Sequence, residues 1–326
     1  MSNRFNHPFW ITCALVALTL SGVTPDVAAA LPSVNGLMRP LPTAVQARTD
    51  SIGAARRAFA AGKSAFDRSD FEEAAKEFER ATTPDPKEAR HFLWLGNALI
   101  KETFTASLMR KAMIGPRARD AWERAAALDP RDVESRGYLV DYYAMAPDFL
   151  GGGLDKAEAM ATQVRAFDTY HGLLLLGRVA EQRKDYDRAA AQFADAARLS
   201  VDDGRAFAGW MIALDRKQRF VEGFAAVDDR LKRLLDDYYA LYHLGRTAGL
   251  SGQRVDSGVI ALRRLVTRNR PEASRFKSSD VRYWLGILLE RKGDRESAAG
   301  ELRQAVEMNP ADSDAKVALT RVTAKS

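Results

Sequence analysis

Ser279 to Pro310 reads SDVRYWLGILLERKGDRESAAGELRQAVEMNP. Its spacing describes two short helices joined by a turn. Leu285-Gly286 and Leu289 lie on the first helix; Ala298, Leu302 and Ala305 lie on the second. Apolar residues at helical spacing fill a seam between such helices. Gly286 has no Cβ and Ala298 only a methyl, so the two can pack closely. Lys292-Gly293 stops the first helix at a residue that tolerates positive φ. Asp294 caps the second by accepting from its free N–H groups. Pro310 cannot continue a helix and turns the chain away.

The same pattern recurs upstream. Gly62 and Gly96 stand 34 residues apart, and so do Gly177, Met211 and Gly245 in succession. Second-helix positions are held by Ala74, Phe78 and Ala81, by Ala118, Trp122 and Ala125, and by Ala189, Phe193 and Ala196. This resembles the tetratricopeptide repeat (TPR), a unit of about 34 residues built as helix–turn–helix. The resemblance covers residues 51–324. It implies an all-α solenoid, a right-handed superhelix of helix–turn–helix units closed by a C-terminal capping helix.

Seven units are expected, near 55–88, 89–132, 133–169, 170–203, 204–237, 238–271 and 279–312, with the cap at 312–324. Ser257 and Ala261 take the second-helix positions of the sixth. Departures are Val140 where Gly is usual, Arg136 and Arg282 where an aromatic is common, and two insertions. One insertion spans 101–116 (KETFTASLMRKAMIGP) and the other 146–153 (APDFLGGG).

The N-terminal 1–30 has the layout of a secretory signal peptide. Arg4 precedes the apolar run Phe9–Leu20, and Ala28-Ala29-Ala30 suits cleavage. That run is short of the roughly 20 residues a membrane-spanning helix needs. Export is expected, to a periplasmic location, with no stable membrane span after cleavage. Residues 31–50, with Pro32, Pro40 and Pro42, read as an extended linker, with helix from about Asp50. The only cysteine, Cys13, falls within the leader, so a mature chain has no thiol chemistry.

The 326 residues are 46% hydrophobic and 28% charged, with formal net charge +6. The charges are interspersed, so anionic partners are favoured only weakly. His91, His171 and His243 lie in different units without metal-ligand spacing. No Gly-x-Ser-x-Gly or His-Glu-x-x-His motif occurs. FLGGGLDKA (149–157) lacks the phosphate-loop spacing and its strand, and its glycines read as a flexible link. Asn309–Asp314 lacks the glycine and distal Glu of a calcium loop. No cofactor, metal site or catalytic constellation is therefore expected, and base-stacking positions do not recur, which argues against nucleic acid. Asn97 matches a position of the TPR clamp for C-terminal carboxylates, but Leu93 and Glu134 stand where that clamp needs other residues.

Two surfaces remain. The resemblance implies that first helices line a groove, displaying Arg56, Phe59, Lys63, Asn97, Asp141 and Arg178, then Ile212, Tyr242, Arg246, Tyr283 and Ile287. Arginines among tyrosines suit a protein or peptide with acidic character. The second surface is the edge carrying both insertions. Phe104, Leu108 and Ala112 recur at i,i+4, as do Met109 and Met113, with Phe149-Leu150 nearby on a glycine hinge. The resemblance implies a non-catalytic scaffold for protein–protein interaction. A different class, an envelope protein binding an anionic glycan or lipid in a basic groove, fits the same charge pattern.

Overall fold

The structure, a computed structural model, describes residues 43–268 and 276–324. The expected leader 1–30, linker residues 31–42 and connector residues 271–275 lie outside the described residues. The chain divides into two units between Thr49 and Asp50. Of the first unit, only the start of α1 is described; the helical array belongs to the second.

Among the described residues there are fifteen α-helices and no strand. They run α1 (Thr43–Asp67), α2 (Phe71–Thr82), α3 (Ala89–Glu102), α4 (Leu108–Leu128), α5 (Val133–Met145) and α6 (Leu154–Phe167). Then come α7 (Thr169–Gln182), α8 (Tyr186–Leu199), α9 (Gly204–Arg216), α10 (Phe220–Arg233) and α11 (Tyr238–Ser251). The last are α12 (Val255–Val266), α13 (Ser278–Arg291), α14 (Arg295–Met308) and α15 (Ser313–Thr323). Sequential helices pack on each other, and α5, α7, α9, α11, α13 and α15 also pack in succession. This is an all-α helical-repeat fold. Helix begins at Thr43, so Thr43–Asp50 is helical where the linker reading made it extended.

One volume rule holds the pairs together. A Cβ on Gly62 would stand 2.7 Å from Phe78, on Gly96 2.4 Å from Trp122, and on Gly177 2.6 Å from Phe193. Gly286 faces Leu302 at 2.6 Å in the same way. Where the glycine is missing, the volume moves across the seam. Met211 replaces it in α9, is fully buried, and meets Gly223 of α10, whose Cβ would lie 3.2 Å from the Met211 methyl. Val140 replaces it in α5, and Ala161, also fully buried, takes the place that Phe or Trp holds elsewhere. A larger residue on one helix is thus matched by a smaller one on the next, as close packing favours.

The turns obey a second rule. Seven residues after Gly62, Gly177, Met211, Gly245 and Gly286, the chain enters the left-handed region: Ser69, Lys184 and Gln218 have φ 64°, 60° and 55°, and Gly252 and Gly293 have 73° and 83°. In α12 the register slips by one. Arg254 adds a further left-handed residue (φ 52°), so Gly258 and Leu262 pack against α11, where Ser257 and Ala261 were expected.

At the corresponding places of the second and third units stand Thr103 and Pro147, with φ of −63° and −61°. Proline cannot enter the left-handed region, and here the chain inserts residues. The first insertion is a turn at 103–107 followed by extra helical turns at the front of α4, with Pro116 inside that helix. Phe104 therefore lies in the turn and shares no helix face with Leu108 and Ala112, which corrects the i,i+4 reading. The glycines of the second insertion pack closely against the chain. A Cβ on Gly152 would lie 1.8 Å from the Ala146 carbonyl oxygen. The N–H groups of Gly152 and Gly153 donate to Pro147 O and Tyr143 O at 3.1 and 2.8 Å. The glycines serve close backbone approach, which folds the loop back onto α5.

Two hydrophobic clusters fill the array. One spans Phe59 to Val179 and the other Leu173 to Val322. Both draw on the Leu173–Leu176 run of α7, which is buried on two faces.

Candidate partner-binding site

The insertions bound an apolar cavity of about 530 Å³ at the end of α3 and α5. Ile100, Phe104, Trp122, Tyr138, Met145 and Leu150 line it, with Lys111 at its rim. Each wall is fixed. Arg110 pairs with Glu102 at 2.6 Å, closing the 103–107 turn, and Ser107 caps α4. Tyr138 stacks on Trp122 with centroids 5.1 Å apart, and Trp122 Nε1 donates to Asn97 Oδ1 at 3.0 Å. Leu150 O accepts from Tyr142 and from Arg119 at 2.7 and 3.1 Å. These contacts hold the walls in place, and the Leu150 carbonyl already has its partners.

A second cavity of about 370 Å³ opens beside it, lined by Glu134, His171, Leu175, Arg178 and Arg205. Tyr138 and Asp141 line both cavities. The groove and the insertion edge, read from sequence as separate surfaces, meet at these two side chains. Asp141 pairs with Arg178. Burial holds its carboxyl above the usual carboxylate range, and Arg178 offsets this only in part.

Several groove candidates turn inward. Asn97 is buried against Trp122, because indole reaches where a phenyl ring would not. Tyr242 is buried beneath Phe276, stacked at 4.1 Å. Phe59 lies in an aromatic cluster with Phe78, His91 and Trp94, and Arg90 covers it at 4.5 Å. Arg56 is exposed, and Ile212, Tyr283 and Ile287 are half-buried. The other groove cations are engaged internally. Lys63 sits 3.5 Å from the Trp94 ring centre and near Asp67, and Arg246 pairs with Asp215, whose side chain is 1% exposed.

At the edge, Phe104 is 69% exposed and Phe149 83%. Leu108, Met109 and Met113 project from the front turns of α4. Phe104 and Leu150 line the edge cavity, whereas those three and Phe149 are exposed on the insertions without lining it. Met145, 76% exposed and lining the cavity, does not stand out in the sequence pattern. It stands four residues after Asp141 on α5, so the same helix face carries both.

Among the described residues, no cluster of His, Cys, Asp or Glu could hold a metal ion, and no helix is long and apolar enough to cross a membrane. The 151–153 loop is tied to the front of α6, with Lys156 donating to Gly151 O at 3.2 Å. Asp312 caps α15.

Residues 59–102 and 279–312 each match the tetratricopeptide repeat family. A tetratricopeptide repeat protein from Parabacteroides merdae is similar in structure, with TM-score 0.57 and 14% identity over 86% of this chain and 100% of that one. Yeast Tom70 is similar with TM-score 0.59 and 16% identity, over 82% of this chain and 56% of that one. No curated protein matches the sequence. At these identities the likeness is one of fold.

Proposed function

Because the chain is a tetratricopeptide repeat protein, we propose that it is a non-catalytic scaffold of the cell envelope that binds a protein partner at the insertion edge of its second and third units. The observation that carries this is the apolar cavity between the insertions, lined by exposed Phe104 and Met145, with exposed Met109 and Phe149 on the two insertions themselves. Exposed apolar side chains gathered around a cavity mark an interaction surface, since burying them on binding is favourable. The groove is the weaker candidate, because Lys63, Arg178 and Arg246 already have internal partners. The envelope location rests on the leader-like residues 1–30. N-terminal sequencing of the protein from cells tests it, with a start near Leu31 expected.

The test of binding is crosslinking in the native envelope with mass spectrometry of the adducts. A Phe104→Ala, Met109→Ala, Phe149→Ala variant should lose the partner, while Val221→Ala, an exposed change on α10, should keep it. A partner retained by the triple variant removes the edge as the site.

A further inference from the structure

Resting on the edge cavity being the partner site, we propose that its ligand is a peptide segment offering one bulky apolar side chain with carboxylates beside it.

The apolar half comes from shape. A cavity of about 530 Å³ walled by Ile100, Trp122, Tyr138, Met145 and Leu150 takes an aromatic or branched side chain as an anchor. A glycan would leave most of its hydroxyls without partners, since Thr103, Lys111, Asp141 and two tyrosines are the polar side chains of an otherwise apolar lining. A flat bilayer surface would leave the concavity unfilled.

The acidic half comes from charge. From Lys101 to Arg119 there are five Lys and Arg and one acid, Glu102. Arg110 is taken by Glu102 and Glu72, Arg117 by Glu79, and Arg119 by Asp120 and Leu150 O. Lys101 and Lys111 are exposed and have no ion-pair partner among the described residues. Elsewhere, some cations of successive units are used in exposed pairs, Lys217 and Arg219 with Asp187, Arg254 with Asp228 and Lys292 with Asp256, while the cavity edge carries two lysines close together without one. Two ammonium groups without a carboxylate partner, Lys111 lining the apolar cavity and Lys101 5.3 Å from the ring centre of Phe104 at its wall, are complementary to carboxylates flanking an apolar anchor, and steer them in.

The test pans a random twelve-residue peptide display library on the immobilised full chain. Selected peptides are then titrated against wild type, Lys101→Glu/Lys111→Glu and Met145→Lys, all changes at exposed positions. Vesicles of phosphatidylglycerol and of phosphatidylcholine are run in parallel. Expected are peptides with Phe, Trp or Leu beside Asp or Glu. Their affinity should fall at least about tenfold in both variants and weaken with salt. Apolar peptides without acids, lost in Met145→Lys but indifferent to the lysine reversal, overturn the acidic ligand and leave the cavity as the site. Peptides that bind Met145→Lys as tightly as wild type overturn both. Enrichment of nothing overturns the peptide ligand, and binding to phosphatidylglycerol vesicles in that case assigns the edge to lipid.

Discussion

Tyr142 on α5 donates its phenolic hydrogen to the backbone carbonyl of Leu150 across 2.7 Å. This bond ties the second insertion to the helix that precedes it and sets one wall of the edge cavity. Burial raises the Tyr142 hydroxyl above the usual phenol range, so it stays a donor at any physiological pH. Tyr142→Phe should cost about 1 kcal/mol in urea unfolding. Arg119 still holds the same carbonyl, so the loop should loosen without unfolding. Faster amide exchange at Gly151–Gly153, with the rest of the chain unchanged, is the expected signature.

Gly152→Ala should be harsher. Its Cβ would meet backbone, the Ala146 carbonyl, at 1.8 Å, and no side chain can rotate away to relieve it. A loss of about 1–3 kcal/mol is expected, together with loss of partner capture. Gly300→Ala in α14 is the control, because nothing lies within 4 Å of its Cβ. It should stabilise by up to about 1 kcal/mol through helix propensity. Equal thermal shifts in the two variants would contradict the packing described for the loop.

The left-handed turn residues make a third expectation. Gln218 has φ 55° where Gly252 and Gly293 serve the same turn elsewhere. Gln218→Gly should raise stability by about 0.5–1 kcal/mol, the relief of strain exceeding the entropic cost of glycine. Gly293→Ala should lower it by a similar amount. Thermal melts of both variants check the sign.

Asp215 gives a pH signature. Burial pushes its carboxyl up to about 6, with Arg246 and a 2.9 Å bond from Thr247 pulling the other way. The folded state therefore binds this proton more tightly than the unfolded chain does. The stability it contributes is fully present below the ordinary aspartate range near 4, and is lost as pH rises through about 6. Lowering the pH from 7 to 4 should thus raise wild-type stability relative to Asp215→Asn by on the order of 3 kcal/mol. A difference between the two proteins that stays flat across this window would refute the linkage.

The repeat architecture was legible because it is written in local signals: Leu285-Gly286, a cap at Asp294, and a glycine with an alanine twelve residues on. What was not legible lies in compensation across the seam. Val140 departs from the repeat pattern, and the fold shows it fully buried, with a fully buried Ala161 at the second-helix position that a larger residue holds in other units. The slip at Arg254 left no mark on the 34-residue spacing of Gly245, because it comes after that glycine. Phe59, Asn97 and Tyr242 sit at helix positions on the boundary between groove and seam. Their neighbours Arg90, Trp122 and Phe276 decided which way they faced. Met145 was hidden because it borders the cavity only once the 146–153 loop folds back over α5.

The most direct measurement places a photo-crosslinking amino acid at Met145, and separately at Val221, in the full chain in its native envelope. Both positions are exposed, at 76% and 78%, and only Met145 borders the edge cavity. Binding at the insertion edge predicts one discrete protein adduct from position 145 and none from position 221. The same adduct from both positions, or from 221 alone, would contradict it.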